Sequence, residues 1–323
     1  MKIAELGKEI LLQMYEMMCR IREFESQVFE LYKMGLMPGL AHLYIGQEAV
    51  AVGACASLNK HDYISSNHRG HGHLIARGAD TKRMMAEILG KKTGYCKGKG
   101  GSMHIVAFDL GILGANGIVG AGIPIATGAG YMAKVKGTKQ VTLSFFGDAA
   151  SNQGTFHESL NMAAAWKLPI VYIVENNLYG ISVNINRVTA VEDLSVRAKA
   201  YGIPGITIDG NDILAVYEGA QKAIDRAREG EGPTLIECKT YRWRGHHVGD
   251  PAIQYRSREE ENKWKEKCPI KRFAGELLTH LIASQAELEE IEQTIISEIN
   301  HAVQYAKDSP FPDPAEAFED LYL

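Results

Sequence analysis

Asp148 and Asn177 are the residues of this chain whose types and positions best suit joint chemistry. Each closes an apolar run: residues 141–146 end at Gly147-Asp148, and residues 170–174 end at Glu175-Asn176-Asn177. Both runs are short and rich in β-branched and aromatic side chains, which suits buried strands. Between them Phe156, Leu160, Ala163, Ala164 and Trp166 recur at helical spacing, and Pro169 stops the pattern. Strand, crossover helix and strand make a βαβ unit with parallel strands. Both strand ends then share one edge of the sheet, where open α/β proteins bind ligands. A carboxylate and an amide oxygen are hard donors, and Mg²⁺ takes about six such donors at roughly 2.1 Å, commonly shared with phosphates. Taken singly, the aspartate reads equally well as a helix cap and the asparagine as a turn residue. Their matching positions favour a metal site.

A Gly-Asp pair after one strand and an Asn-Asn pair closing the next resembles the signature of thiamine-diphosphate enzymes. Over roughly residues 8–320 the chain is similar to the alpha subunit of the decarboxylating component of 2-oxo-acid and acetoin dehydrogenase complexes. The resemblance implies an α/β fold, a mostly parallel sheet with helices on both faces. It implies one thiamine-diphosphate-binding domain over residues 1–323, with an N-terminal helix 8–36 and a helical C-terminal region 270–308. It implies thiamine diphosphate and Mg²⁺ as cofactors, with Asp148, Asn177 and Tyr179 at the metal and Gly147, Asp148, Ala149 and Ala150 along the diphosphate. The family usually has glycine where this chain has Ala149, so the backbone there must avoid positive φ or accept a Cβ near the diphosphate.

The segment 63–73 is dense in chemistry: His68, Arg69, His71 and His73 follow a short strand. A metal site of the three histidines lacks a fourth ligand, and Arg69 opposes a cation. An anion site is the better reading, because guanidinium donates to phosphate in a planar, bidentate way. By resemblance His68 and Arg69 contact the cofactor, with Arg69 on the diphosphate, and His71 faces the substrate. The basic, glycine-rich 97–104 is a weak phosphate-cradle signal without P-loop spacing. By resemblance it lies near the active-site mouth, where Met103 and His104 shape the pocket, and Gly117 and Val119 meet the aminopyrimidine ring. Residues 234–243 alternate like a strand and lead into the polar loop 244–258. There the resemblance makes His246 a catalytic and cofactor contact and Arg242 a further anion contact. His247 falls where mitochondrial relatives carry a phosphorylated serine, so that control is not expected. The loop has few apolar anchors, which predicts that it is mobile without cofactor and ordered with it.

With 46% hydrophobic residues, 33 glycines and a net charge of −4, the composition is that of a compact α/β protein. That charge argues against nucleic-acid and membrane-surface partners. The five widely spaced cysteines, with no metal spacing, read as reduced thiols in a cytoplasmic protein. An amphipathic helix spans residues 10–34. A nucleotide- or phosphate-binding module without catalysis is a remote alternative, and for NAD the chain lacks a G-x-G-x-x-G after the first strand of the unit.

The resemblance further implies cleavage of a carbon–carbon bond next to a carbonyl and transfer of the acyl unit to a lipoyl-bearing acyltransferase. It places the glutamate that protonates the cofactor on a beta subunit, within an α₂β₂ heterotetramer. The wording of residues 35–39, 113–116 and 209–217 looks most like acetoin dehydrogenase alpha subunits. Pyruvate or branched-chain 2-oxo-acid dehydrogenases are the runners-up.

Overall fold

In the computed structural model, residues 6–319 are described. Six strands form one parallel sheet: β1 (Tyr63–Ser65), β2 (Ile112–Gly114), β3 (Thr142–Gly147), β4 (Ile170–Asn176), β7 (Gly205–Asp209) and β8 (Thr234–Lys239). Their order is β2-β1-β3-β4-β8-β7. A small antiparallel hairpin pairs β5 (Tyr179–Gly180) with β6 (Val183–Asn184).

Ten α-helices surround the sheet among the described residues. They are α1 (Lys8–Lys33), α2 (Glu48–Cys55), α3 (Gly70–Ala76), α4 (Thr81–Ile88), α5 (Gly122–Lys136), α6 (Gly154–Ala165), α7 (Ile213–Arg228), α8 (Arg258–Glu266), α9 (Pro269–Thr279) and α10 (Gln285–Asp308). The first helix therefore stops at Lys33, short of residue 36, because Gly35 turns the chain at φ +69°.

Both faces of the central strands β3, β4 and β8 are buried, and the pleat sorts the side chains between them. On β4, Val171 and Ile173 join the larger core beneath α1, α2, α4 and α7, with α9 and α10 behind. Ile170, Tyr172 and Val174 point the other way, onto Phe156, Leu160 and Ala163 of α6. A strand buried on both faces reads as a continuous apolar run, as residues 170–174 do. The same physics corrects the reading of residues 234–243. The strand ends at Lys239 and its first five residues are all buried, so it does not alternate.

The βαβ unit is present as read: β3, α6 and β4, with Gly147 in register with Glu175. Chain direction in the sheet diverges between β1, which leads out to β2, and β3, which leads to β4 and β8. Ligand crevices form at such a divergence. None of the helices among the described residues is long and apolar enough to cross a membrane, and all five cysteines are free.

Candidate cofactor site

Four strand ends feed one cavity of about 300 Å³. β1 delivers Ser66, Asn67, His68 and Arg69; β3 delivers Asp148, Ala149 and Ala150; β4 delivers Glu175 and Asn177; and the chain after β8 delivers Arg242 and His246. Val119 and Tyr179 complete its wall. Of the residues singled out in the sequence, His71, His73, Met103, His104, Gly117 and His247 do not line it.

Asp148 is 2% exposed, and its Oδ2 has no hydrogen-bond partner. Burial pushes its carboxyl up to about 6 against the lowering pull of nearby backbone N–H groups, Arg242 and Arg69. Asn177 is 6% exposed; its Nδ2 donates to Gln47 Oε1 at 3.1 Å, which leaves Oδ1 unpartnered. Two buried, unsatisfied oxygens at neighbouring strand ends cost folding free energy unless a cation or a proton takes them up. No group of three or more His, Cys, Asp or Glu poised for a metal occurs among the described residues. The available set is instead one carboxylate, one amide oxygen and backbone carbonyls, which are ligands for a hard cation. Tyr179 offers its carbonyl, already accepting a weak bond from Arg242 Nη1 at 3.3 Å, while its hydroxyl donates to Glu260 at 2.9 Å.

The opposite wall is cationic. Arg69 donates to the carbonyls of Leu43 and His246 at 2.9 and 2.8 Å, and Arg242 to the carbonyls of Tyr179 and Ile181. Arg242 Nε is buried with no partner, a donor left for an anion. Burial lowers both guanidiniums, helped at Arg69 by Arg242 and at Arg242 by Arg256; Arg69 comes down to about 9. Each of those costs falls when an anion binds between them.

His246 Nδ1 faces Arg69 Nη2 at 3.4 Å and Arg242 Nη1 at 3.2 Å. Both neighbours can only donate, so the ring proton belongs on Nε2. Burial and then those arginines bring the ring down to about 3, so it is neutral at physiological pH. His42, a residue that sequence reasoning missed, packs edge-on to His68, His246 and His247, with ring centroids 5.1, 4.7 and 6.2 Å away. Burial and the same cationic surroundings push it down to about 2.

His71 requires a correction. It is fully buried, with Nδ1 3.0 Å from Glu25 Oε2 and Nε2 3.0 Å from Ser102 Oγ. Both ring nitrogens are thus committed, and the ring does not face the cavity as expected. His73 is likewise held between Glu175 and Ser66, which removes the three-histidine metal reading. Glu175 also accepts from Tyr44 and Asn67. Burial alone would raise this carboxyl, but the His73 charge and these bonds bring it below its ordinary value. Gly117 lies one residue away from the lining positions Asn116 and Ile118, with its N–H turned to His104 Nε2 at 3.4 Å.

Ala149 has no positive φ, so its alanine is free of backbone strain there. Its Cβ is accommodated because position 180 is glycine: a Cβ on Gly180 would lie 2.8 Å from it. The loop 244–258 carries polar contacts that the sequence reading did not weigh. Arg256, 7% exposed, donates to the carbonyls of Arg242 and Arg244, each at 2.7 Å, and pairs with Glu261. Asp250 accepts from the His246 N–H and the Tyr255 hydroxyl, and Val248 N–H reaches the Ala41 carbonyl. Polar anchors fix this loop, where the sequence reading looked only for apolar ones.

Of the missed residues, His42 sits inside an apolar stretch, while Gln47 and Glu175 sit directly at the end of one. That was their signal, since a buried polar group needs a reason to be there.

Known proteins are similar to this chain over nearly its whole length. The family described as the dehydrogenase E1 component matches residues 16–315. The acetoin:2,6-dichlorophenolindophenol oxidoreductase alpha subunit of Bacillus subtilis is 52% identical over 98% of this chain and 95% of its own. The protein of the same description from Cupriavidus necator is 46% identical over 98% and 96%. The pyruvate dehydrogenase E1 component alpha subunit of Rhizobium meliloti is 42% identical over 99% and 92%. The chain belongs to the dehydrogenase E1 component family, whose membership implies a thiamine-diphosphate-dependent oxidoreductase.

Proposed function

We propose that this chain is the alpha subunit of an acetoin dehydrogenase, cleaving the carbon–carbon bond beside a carbonyl and passing the acyl unit to a lipoyl carrier. The observation that carries the site reading is the pair of unpartnered oxygens, Asp148 Oδ2 and Asn177 Oδ1, in a cavity that Arg242 lines with an unpartnered Nε. Preference for acetoin rests on relatives at 52% and 46% identity whose names carry that substrate.

Thiamine diphosphate, when bound, supplies the electron sink for bond cleavage. The chain's residues do the rest. Asp148 and Asn177, with the Tyr179 carbonyl, would hold Mg²⁺ at the diphosphate. Gly147, Ala149 and Ala150 bring their backbone alongside it. Arg69 and Arg242 would neutralise its charge, and His246, with its proton on Nε2, would donate a hydrogen bond into the cavity. His68 and Val119 bound the rest of the cavity, and Gly117 supports that wall from behind. His71 acts only through Ser102 and Glu25.

The partners are a beta subunit in an α₂β₂ assembly, which brings the proton-transferring glutamate, and a lipoyl-bearing acyltransferase. The location is the cytoplasm. Reduction of a dye acceptor by the co-purified alpha–beta pair tests this reading. The expected result is a higher kcat/KM for acetoin than for pyruvate, with no turnover by the alpha chain alone. Preference for pyruvate or a branched-chain 2-oxo acid would establish the second reading, which the 42% relative supports. Full turnover by the isolated chain would overturn the shared site.

A further inference from the structure

The glycine-rich loop 95–104 is wrapped round a carboxylate from its own chain, which is why it is not a phosphate cradle. Glu87, in the last turn of α4, is fully buried. Its Oε2 accepts from the N–H of Cys96 at 2.8 Å and of Gly98 at 2.9 Å; its Oε1 accepts from Gly100 at 2.7 Å and Gly101 at 3.1 Å. A carboxylate has about four lone-pair sites, so this one is saturated. The loop backbone is shaped to it. Gly98 lies at φ +80°, and a Cβ on Gly94 would fall 2.2 Å from Glu87 Oε2.

The tip of the loop is fixed by a second carboxylate. Ser102 Oγ meets His71 Nε2, His71 Nδ1 meets Glu25 Oε2, and Glu25 Oε1 accepts from the Tyr44 N–H at 2.9 Å. Just past Ser102, His104 Nε2 faces the Gly117 N–H, and a Cβ on Gly117 would lie 3.2 Å from that nitrogen. Asn116, Ile118, Val119 and Gly120 beside it line the cavity.

We propose that loop 95–104 is a strut, anchored at its base by Glu87 and at its tip by Ser102, that positions the cavity wall 116–120 through His104. Glu87 is a positioning residue for the cofactor without touching the cavity. This rests on reading that cavity as the thiamine-diphosphate site. Replacing Glu87 by glutamine keeps the shape, but its amide group confronts two N–H donors that now have no acceptor. Each unsatisfied buried donor costs about 1–3 kcal/mol in general.

The test is hydrogen exchange by mass spectrometry on the alpha–beta complex, wild type and Glu87→Gln, with thiamine diphosphate and Mg²⁺ affinity measured on the same samples. The expected result is exchange at least about tenfold faster in 95–104 and also in 116–120, unchanged protection in β3 and β4, and a dissociation constant raised about tenfold. Loosening of 95–104 with unchanged 116–120 and unchanged affinity would overturn the proposal, as would no loosening at all. If Glu87→Gln fails to fold, Ser102→Ala cuts the tip anchor with Glu87 in place, and the same spread to 116–120 is required. If the wild-type complex does not bind thiamine diphosphate, the reading of the cavity fails, and the exchange data still decide the strut.

Discussion

Asp148 and Asn177 leave neighbouring parallel strands at the same edge of the sheet, and each carries a buried oxygen with no partner. That coincidence is the strongest chemical statement in the fold. Gln47 fixes which atom of Asn177 is free, by accepting one of its amide hydrogens and leaving Oδ1 unpartnered. Replacing Gln47 by alanine should therefore weaken cofactor binding although Gln47 does not line the cavity.

Ala149 and Gly180 are coupled by contact. A Cβ on Gly180 would sit 2.8 Å from the Ala149 Cβ, closer than real carbons approach. Overpacking of this kind costs about 1–3 kcal/mol. Gly180→Ala should lower the melting temperature and the cofactor affinity, and Ala149→Gly in the same chain should restore most of both. A double-mutant cycle checks this. Additive effects would show that the two positions do not meet.

His42 should make the protein sensitive to acid. Unfolded, the ring takes a proton as pH falls below about 6.5. Folded, burial together with Arg69, His246, His68 and His247 holds it unprotonated down to about 2. The unfolded state then binds more protons over that window, so stability falls as pH falls through it. Thermal melts at pH 7 and pH 5 should show a smaller loss for His42→Gln than for wild type. Equal losses would mean that His42 is not buried beside Arg69.

Arg256 should control the loop 244–258. Removing its bonds to the Arg242 and Arg244 carbonyls leaves the segment few ties besides Asp250 and Val248. In Arg256→Gln, trypsin should cut at Arg244 and Arg258 much faster than in wild type. Wild type itself should resist cleavage at Arg256 even without cofactor. Rapid cutting there would return the loop to the mobile state that its sequence suggests.

The βαβ unit, the parallel sheet and the Asp148–Asn177 edge were legible because short continuous apolar runs and a proline stop are local signals. What was not legible came from contacts distant in sequence. His71 reads as a site histidine until Glu25 and Ser102 are seen to occupy both its nitrogens. The loop 97–104 reads as a ligand loop until Glu87 is found inside it. The loop 244–258 reads as weakly anchored until the carbonyl partners of Arg256 appear. In each case a buried polar partner from elsewhere in the chain decided the role, and no periodicity encodes that.

Asp148 and Asn177, as proposed, would be the side chains that hold a cation for the diphosphate. Calorimetric titration of the alpha–beta complex with thiamine diphosphate and Mg²⁺ tests this most directly. Asp148→Ala should abolish Mg²⁺-dependent binding, and Asn177→Ala should weaken it less, since it removes a neutral donor. Wild-type affinity in Asp148→Ala would contradict the account.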